Sequence, residues 1–270
     1  MNILDQIIEH KKKEVEDRKS LYPVKLLEKS IFFATQPVSM KKYITREDKT
    51  GIIAEFKRKS PSKGIINAHA GVERTSIGYM QAGASALSIL TDKQFFGGAN
   101  EDLTTARKYN FCPIIRKDFT IDEYQIIEAK SIGADAILLI AAVLDPERSK
   151  ILTAFAHSFG LEVLLEVHDE DELKKNLDVG ADMIGVNNRN LKTFEVSIDV
   201  SKRLSALMPE HVVKVSESGI SSPETILELK KYGYRGFLMG ENFMKHSRPD
   251  EAAMEFMTEL RKQETVKQHA

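Results

Sequence analysis

Cysteine and tryptophan are nearly missing from the sequence, which has one cysteine and no tryptophan in 270 residues. Cys112 has no disulfide partner within the chain, as is typical of a reducing compartment, and we expect it to be a small buried packing residue. Long apolar runs are missing too: the longest, residues 136–144, is far shorter than the roughly 18 to 20 residues of a membrane-spanning helix. The amino terminus also lacks the pattern of a signal peptide. These features predict a cytoplasmic protein.

An excess of charge of one sign is also missing, since 39 basic residues stand against 40 acidic ones. We therefore expect no nucleic-acid or membrane partner, and any anion-binding site has to come from local clustering. The seven histidines stand apart, and none has the spacing of a metal-binding motif, so we expect no metal. We interpret His168 as a surface or loop residue and the charged run at residues 10–19 as a solvated helix face.

What the sequence does contain is a repeated phrase, in which a helix-like segment ends at a glycine and a short apolar run follows. It occurs as "AGASALSIL", "IGADAILLI", "VGADMIGVN" and, more loosely, "YGYRGFLMG". A glycine in this place is typical of a left-handed helix C-cap. Together with four further apolar runs, the pattern predicts eight strands, which begin near residues 51, 85, 112, 135, 161, 182, 211 and 236.

The segments between these runs carry apolar residues at three- and four-residue intervals, which predicts amphipathic helices. Strands that alternate with such helices form parallel sheets, because each return to the same end of the sheet needs a crossover. Composition alone permits one domain or two, but no linker rich in Pro, Gly or Ser divides the chain. Eight units favour a single-domain α/β fold, a closed (β/α)8 TIM barrel, over an open doubly wound sheet of five or six strands.

We expect the barrel to occupy residues 48–262. Residues 1–47 have a helical pattern, and we interpret them as an extension packed on the barrel. The apolar side of this extension consists of Ile3, Ile7, Ile8 and Val15. Residues 263–270 form a polar tail that we expect to be frayed.

Charged and polar residues cluster where the predicted strands end, which in a parallel barrel is the face that carries active sites. Glu55 and Lys57 alternate with Phe56 in the first strand, so both should point to the barrel axis. Later strands end in Lys117, Glu166, Asn187, Arg189, Glu217 and Ser218. Buried charges need partners. This nearly balanced set, made positive by Lys59, suits a small anionic substrate and proton transfer by lysine and glutamate.

The loops after the last two predicted strands have a further feature. Glycine exposes backbone N–H groups in "SESGI" and "MGENFM", and a short helix beginning just after them would direct its positive end at an anion. In barrels these two loops frequently bind phosphate. We therefore predict phosphate binding at Gly219, Gly240 and Glu241, the last through its backbone N–H only.

With these residues in place, the sequence resembles the indole-3-glycerol-phosphate synthase family over nearly its whole length. The motifs "IIAEFKRKSPSKG", "LSILTDKQFFGG", "PIIRKDF", "LLEVH", "IGVNNRNL" and "VKVSESGI" occur in family order. The resemblance implies a lyase of tryptophan biosynthesis without metal or organic cofactor. Its reaction converts 1-(2-carboxyphenylamino)-1-deoxyribulose 5-phosphate into indole-3-glycerol phosphate, carbon dioxide and water.

The resemblance also implies roles. Lys117 matches the general acid of ring closure and Glu166 the base, while Glu55 and Lys57 match residues of substrate binding and dehydration. The division of labour between the two lysines stays open. The implied substrate contacts are Lys59, Ser60, Phe96, Phe119, Asn187, Arg189, Glu217 and Ser218. Of these, the two phenylalanines would form an apolar slot for the anthranilate ring.

Alternatives remain at this level. The charged strand ends could form a structural ion-pair network, and Glu217 and Arg189 could serve only to fix their neighbours. A barrel that has lost its chemistry is one rival function. Another is phosphoribosylanthranilate isomerase, which needs a cysteine base, but Cys112 begins a strand and so belongs to the wrong face. We expect a monomer, with a weak dimer as the alternative.

Overall fold

Eight parallel strands form a closed ring in the computed structural model, which describes residues 3–191 and 193–268. Each of them pairs with its successor along the chain, and the first pairs with the last. The strands in chain order are β1 (Ile52–Phe56), β2 (Lys59–Ser60), β3 (Gly64–Ile65), β4 (Ala86–Leu90), β5 (Ile114–Lys117), β6 (Ala136–Ile140), β7 (Glu162–Val167), β8 (Met183–Asn187), β9 (Val213–Glu217) and β10 (Tyr234–Met239). Among the strands of the described residues, β2 and β3 lie outside the ring and form a hairpin after β1. The predicted single-domain (β/α)8 barrel is confirmed, and each barrel strand begins within two residues of its predicted start.

Helices connect the barrel strands and precede the first one. They are α1 (Ile3–Leu21), α2 (Val24–Leu27), α3 (Met40–Thr45), α4 (Val72–Ala82), α5 (Lys93–Phe96), α6 (Asn100–Tyr109), α7 (Glu123–Ser131), α8 (Pro146–Ser158), α9 (Glu170–Lys175), α10 (Asp199–Ser205), α11 (Pro223–Lys230), α12 (Glu241–Met244) and α13 (Pro249–Gln268). The helix-ending glycines of the repeated phrase have positive φ angles, 105° at Gly83 and 92° at Gly133 for example. This is the left-handed conformation that their position predicted.

Two apolar clusters follow from the alternation of side chains along each strand. Residues such as Phe56, Leu87 and Ile114 point outward and pack under the helices. Their neighbours, such as Ile53 and Ile115, point inward and fill the barrel. The inward residues at the carboxyl ends of the strands are charged, as Glu55, Lys117 and Glu166 are, so the apolar filling forms a floor beneath a polar mouth.

The amino-terminal helices contact the barrel at both of its ends. Met40 and Ile44 of α3 join the inner apolar cluster, and Ser39 and the backbone N–H of Lys41 bind Glu162 at the start of β7. At the other end, Lys11 of α1 is fully buried. The interpretation of residues 10–19 as a solvated face is therefore wrong for Lys11. The first two residues of the predicted extension lie outside the described residues.

The carboxyl-terminal helix α13 continues to Gln268 and so runs through the boundary predicted at residue 262. The tail expected to be frayed is thus helical as far as the described residues extend, and Lys230 of α11 pairs with its Glu264. Cys112 is buried with 5% exposure, as predicted. No helix in the described part of the chain combines the length and the apolar character needed to cross a membrane.

Candidate active site

A cavity of about 860 Å³ opens at the carboxyl ends of the barrel strands. Of the residues that the sequence predicts for the site, only Lys59 is not part of its wall. The predicted residues in the wall are Glu55, Lys57, Ser60, Phe96, Lys117, Phe119, Glu166, Asn187, Arg189, Glu217, Ser218, Gly219, Gly240 and Glu241. Helix α1 adds Ile3, Leu4 and Ile7 to the lining. The parallel barrel thus brings together side chains that are far apart in the sequence.

Lys117, the last residue of β5, occupies the centre of this site. Its Nζ donates hydrogen bonds to Glu166 Oε2 at 2.8 Å and to Glu217 Oε2 at 3.1 Å. Burial by itself would lower the pKa of Lys117, but the charges of Glu166 and Glu217 outweigh burial and raise it above its ordinary value. Lys117 is therefore a protonated hydrogen-bond donor at neutral pH.

The two carboxylates that share Lys117 differ in protonation. Burial opposes the charge of Glu166, but the charges of Lys117 and His168 prevail and hold the pKa of Glu166 well below its usual range. Burial raises the pKa of Glu217 to about 7, because the attraction of Lys117 is partly cancelled by the negative charge of Glu166. Glu166 is thus ionised at neutral pH, whereas Glu217 exchanges its proton there.

Glu217 also has an oxygen that is not used within the protein. Its Oε1 is buried and has no hydrogen-bond partner in the described part of the chain. Gly185 of β8 makes room for this oxygen, since a Cβ atom at that position would lie 2.3 Å from it. A buried acceptor without a hydrogen-bond partner is costly, so Oε1 adds to the cost of keeping Glu217 ionised.

The second oxygen of Glu166 is held by two neighbours. Asn187 Nδ2 donates to Oε1 at 3.1 Å, and His168 Nε2 lies 3.2 Å from the same oxygen. On its other side, His168 Nδ1 lies 3.1 Å from Glu172. Burial would lower the pKa of His168, but the adjacent carboxylates of Glu166 and Glu172 raise it to about 10. His168 lies in the loop after β7, one of the two settings expected for it, but its side chain is only 10% exposed and so is not on the surface.

A second ion pair lies at the end of β1. Lys57 Nζ donates to Glu55 Oε1 at 2.7 Å, and Ser88 of the adjacent β4 donates to Glu55 Oε2 at 3.2 Å. Glu55 is buried, while the side chain of Lys57 is 17% exposed in the cavity. Gly240 passes close to this pair, because a Cβ atom there would lie 2.7 Å from Glu55 Oε1. The site therefore contains two separate lysine–glutamate units.

Lys59 is directed away from the cavity. Its Nζ donates to the backbone carbonyl oxygen of Gln94 at 2.5 Å, so the structure does not place its charge with those of Lys57 and Lys117. The next residue, Ser60, lies in the wall, and its hydroxyl is 3.4 Å from that of Ser62. Lys63, at the turn of the same hairpin, lines the cavity instead.

Two phenylalanines form an apolar wall on one side. The rings of Phe96 and Phe119 have centroids 5.9 Å apart and planes inclined by 40°. Phe96 ends α5 and Phe119 follows β5, so the wall is built from two successive loops of the barrel. Such an arrangement can hold a flat aromatic group.

The opposite side of the cavity is formed by the loops after β9 and β10. Ser218 and Gly219 have φ angles of 66° and 76°, and a Cβ atom at Gly219 would lie 2.6 Å from Val196. Gly240 immediately precedes the short helix α12. The side chain of Glu241 pairs with Lys63 at 3.5 Å and with Arg189 at 3.4 Å. Two cations thus lie beside the backbone that was predicted to bind phosphate.

Several residues of the site escaped the sequence reasoning. His168 and Lys63 were not assigned, although both follow strand ends and the strand-end rule could have found them. Ile3 and Ile7 had a signal in the apolar face of α1, but nothing in the sequence says that this face covers the mouth. Among residues 3–191 and 193–268, no cluster of histidine, cysteine or carboxylate side chains is arranged to hold a metal ion.

A closed barrel with buried lysine–glutamate pairs at its carboxyl face defines a (β/α)8-barrel protein whose site lies where such enzymes carry out catalysis. A family model described as indole-3-glycerol phosphate synthase matches residues 4–256. The chain belongs to the indole-3-glycerol phosphate synthase family.

Relatives of that name agree with the family model. The protein from Bacteroides thetaiotaomicron is 50% identical over 256 residues, which cover 95% of this chain and 98% of the relative. The one from Nautilia profundicola is 44% identical and covers 93% and 97%. Among solved structures, thiamine phosphate pyrophosphorylase from Pyrococcus furiosus superimposes with a TM-score of 0.60 at 14% identity, over 83% of this chain and 98% of that one. At that identity the likeness shows the fold alone.

Proposed function

We propose that this protein catalyses the indole-3-glycerol phosphate synthase reaction. The substrate, 1-(2-carboxyphenylamino)-1-deoxyribulose 5-phosphate, carries an aryl carboxylate, a ketone, hydroxyls and a phosphate. The single observation that carries the proposal is the Lys117 ammonium, held between Glu166 and Glu217 in the centre of the cavity. A protonated amine beside an ionised carboxylate supplies the acid and the base that this reaction needs.

Each part of the substrate would bind to a different wall of the cavity. Phe96 and Phe119 would hold the aryl ring, and the backbone at Gly219, Gly240 and Glu241 would bind the phosphate, with Lys63 and Arg189 adding positive charge. The side-chain pairs of Glu241 leave its backbone N–H for this purpose. Asn187, Ser218 and Glu217 would orient the hydroxyls.

Ring closure forms a bond between the aryl carbon that bears the carboxylate and the ketone carbon. Lys117 would protonate the ketone oxygen as negative charge develops there. The bond to the carboxylate then breaks, carbon dioxide leaves, and its electron pair restores the aromatic ring. In the last step the new hydroxyl leaves as water, with a proton donated by Lys57, and Glu166 would accept the proton that the ring system loses. Glu55, which accepts a hydrogen bond from Lys57, would orient it.

The assignment is tested by incubating the protein with the substrate and following indole fluorescence. We expect turnover by the wild type, and a loss of at least about a hundredfold in both Lys117→Met and Glu166→Gln, the usual scale for loss of a general acid or base. Lys12→Met is a matched control, since Lys12 is exposed on α1 and pairs only with Glu9 in the described chain. Turnover that survives in Lys117→Met would remove that residue as the acid.

A monomeric, cytoplasmic enzyme is part of the proposal. The cavity wall of this chain already includes an acid, a base and an apolar slot, which supports a site that is complete in a single copy. We expect specific activity to be independent of protein concentration across a dilution series, with sedimentation at the mass of one chain. A fall in specific activity on dilution would contradict this.

A further inference from the structure

Lys11 links the amino-terminal helix to two loops of the active-site face. Its Nζ lies 3.0 Å from Asp92 Oδ2 and 2.9 Å from Asp118 Oδ1, and it also donates to Glu14 at 3.1 Å. Lys11, Asp92 and Asp118 each have an exposure of 2% or less. Burial would lower the pKa of Lys11, but the charges of Asp118 and Asp92 outweigh it and raise the pKa. A charged ammonium thus bridges two buried carboxylates from different loops.

Each of these carboxylates also holds the backbone of a phenylalanine in the cavity wall. Asp92 caps α5, and its Oδ1 accepts from the backbone N–H of Phe96 at 3.3 Å. Asp118 Oδ1 accepts from the backbone N–H of Phe119 at 2.8 Å. Since Oδ1 of Asp118 is also the atom that faces Lys11, one ammonium fixes both attachment points of the aromatic wall.

We propose that Lys11 is a positioning residue for the aryl slot, because through Asp92 and Asp118 it sets the separation of Phe96 and Phe119. This inference rests on the proposed function, in which that slot holds the aryl ring of the substrate. Lys11 itself does not touch the substrate. It acts on the backbone of the two loops, and so on the wall that they carry.

The charge of Lys11 is what the proposal depends on. An apolar residue in its place would leave two buried carboxylates facing each other across the space of one ammonium, which is unfavourable. Asp118 would keep Thr91 at 2.5 Å and Arg116 at 3.4 Å as partners. No second ion pair of Asp92 is found among the described residues, so we expect the loop that bears Phe96 to move more than the loop that bears Phe119.

The test compares Lys11→Met with the control Lys12→Met on the full chain. Turnover gives kcat and KM, and competition gives inhibition constants for 2-aminobenzoate, a probe of the aryl slot, and for inorganic phosphate, a probe of the loops after β9 and β10. We expect Lys11→Met to raise KM and the constant for 2-aminobenzoate by about tenfold or more, the scale set by a displaced apolar wall. The constant for phosphate should stay within about twofold. A purely structural role would change both inhibition constants together, or neither.

Two further sets of variants distinguish an error in the role of Lys11 from an error in the position of the aryl slot. Asp92→Asn keeps an acceptor for the cap of α5 but removes one charge, and it should also weaken 2-aminobenzoate selectively, even if Lys11→Met does not fold. In a Phe96→Ala, Phe119→Ala background, Lys11→Met should have no further effect on 2-aminobenzoate. If the phenylalanine variants alone leave 2-aminobenzoate binding unchanged, the slot assigned under the proposed function is wrong. If they weaken it while Lys11→Met and Asp92→Asn do not, only the role of Lys11 is overturned.

Discussion

The ammonium of Lys117 lies 2.8 Å from Oε2 of Glu166, although 49 positions of chain separate the two residues. The contact exists because β5 and β7 are parallel strands of one closed barrel and end at the same face. Glu217, 100 positions from Lys117, reaches the same nitrogen from β9. Lys117, Glu166 and Glu217 therefore form one buried group of charges, which His168 and Gly185 contact.

Removal of the shared cation should cost stability as well as activity. Lys117→Met removes the cation that Glu217 shares with Glu166, which keeps His168 as a partner, and breaking a buried pair in this way costs on the order of 3 kcal/mol. The double variant Lys117→Met, Glu217→Gln should recover part of the free energy of unfolding but none of the turnover. Urea denaturation and the fluorescence assay measure the two quantities. Equal stability of the single and double variants would contradict the arrangement.

Glu217 should reduce stability when it is ionised. Its pKa is raised by burial to about 7 in the folded protein, above the ordinary value near 4.5, so the folded state keeps the proton longer than the unfolded state. The contribution of Glu217 to the free energy of unfolding therefore falls as pH rises from about 4.5 to 7. We expect Glu217→Gln to be more stable than the wild type at pH 8, on the order of 2 kcal/mol, and to lose this advantage at pH 4.5. Urea denaturation midpoints of both proteins at the two pH values measure this difference in stability. A difference that does not change with pH would contradict the burial argument.

His168, in contrast to Glu217, should stabilise the fold in its charged form. Its pKa is raised to about 10 in the folded state by Glu166 and Glu172, so the charged ring contributes stability that is complete below about pH 6.5 and disappears as pH rises through 10. The difference in unfolding free energy between wild type and His168→Gln should shrink by up to about 1.4 kcal/mol per pH unit in this window. Denaturation at pH 6, 7.5 and 9 measures it. A constant difference would mean that the ring is neutral.

Gly185 should be intolerant of a methyl group because of Glu217. A Cβ atom at this position meets Glu217 Oε1 at 2.3 Å and Leu164 at 3.2 Å, so Gly185→Ala should displace the carboxylate, destabilise the fold by about 1 to 3 kcal/mol and raise KM. Glu217→Asp shortens the side chain and should restore stability in the Gly185→Ala background. The cycle of the two single variants and the double variant, measured by urea denaturation, tests this coupling. Additive effects would show that the two residues do not interact.

Much of the fold was predictable because its signals are local. The helix-ending glycines, the apolar runs and the three- and four-residue spacing each arise within one unit, and eight repetitions leave the barrel as the favoured arrangement. The strand-end rule then predicted Glu55, Lys117 and Glu166 as neighbours. The rule works because parallel strands place all their carboxyl ends on one face.

Other features depend on which distant segment meets a side chain. Lys11 has the sequence context of a surface lysine, and it is buried only because Asp92 and Asp118 come from two other loops to surround it. Lys59 has the context of a site residue, but its long flexible side chain reaches the carbonyl of Gln94 instead. His168 is drawn inward by two carboxylates.

The sequence by itself determined the order of strands and helices, the closed barrel and the face on which the charges gather, since these follow from periodicity and from the chirality of the chain. Only the tertiary structure decided which charges pair, which carboxylate keeps its proton near neutral pH, and which lysine is buried. Those outcomes depend on distances of a few ångströms between segments far apart in the chain, and on how much water each group loses when they meet.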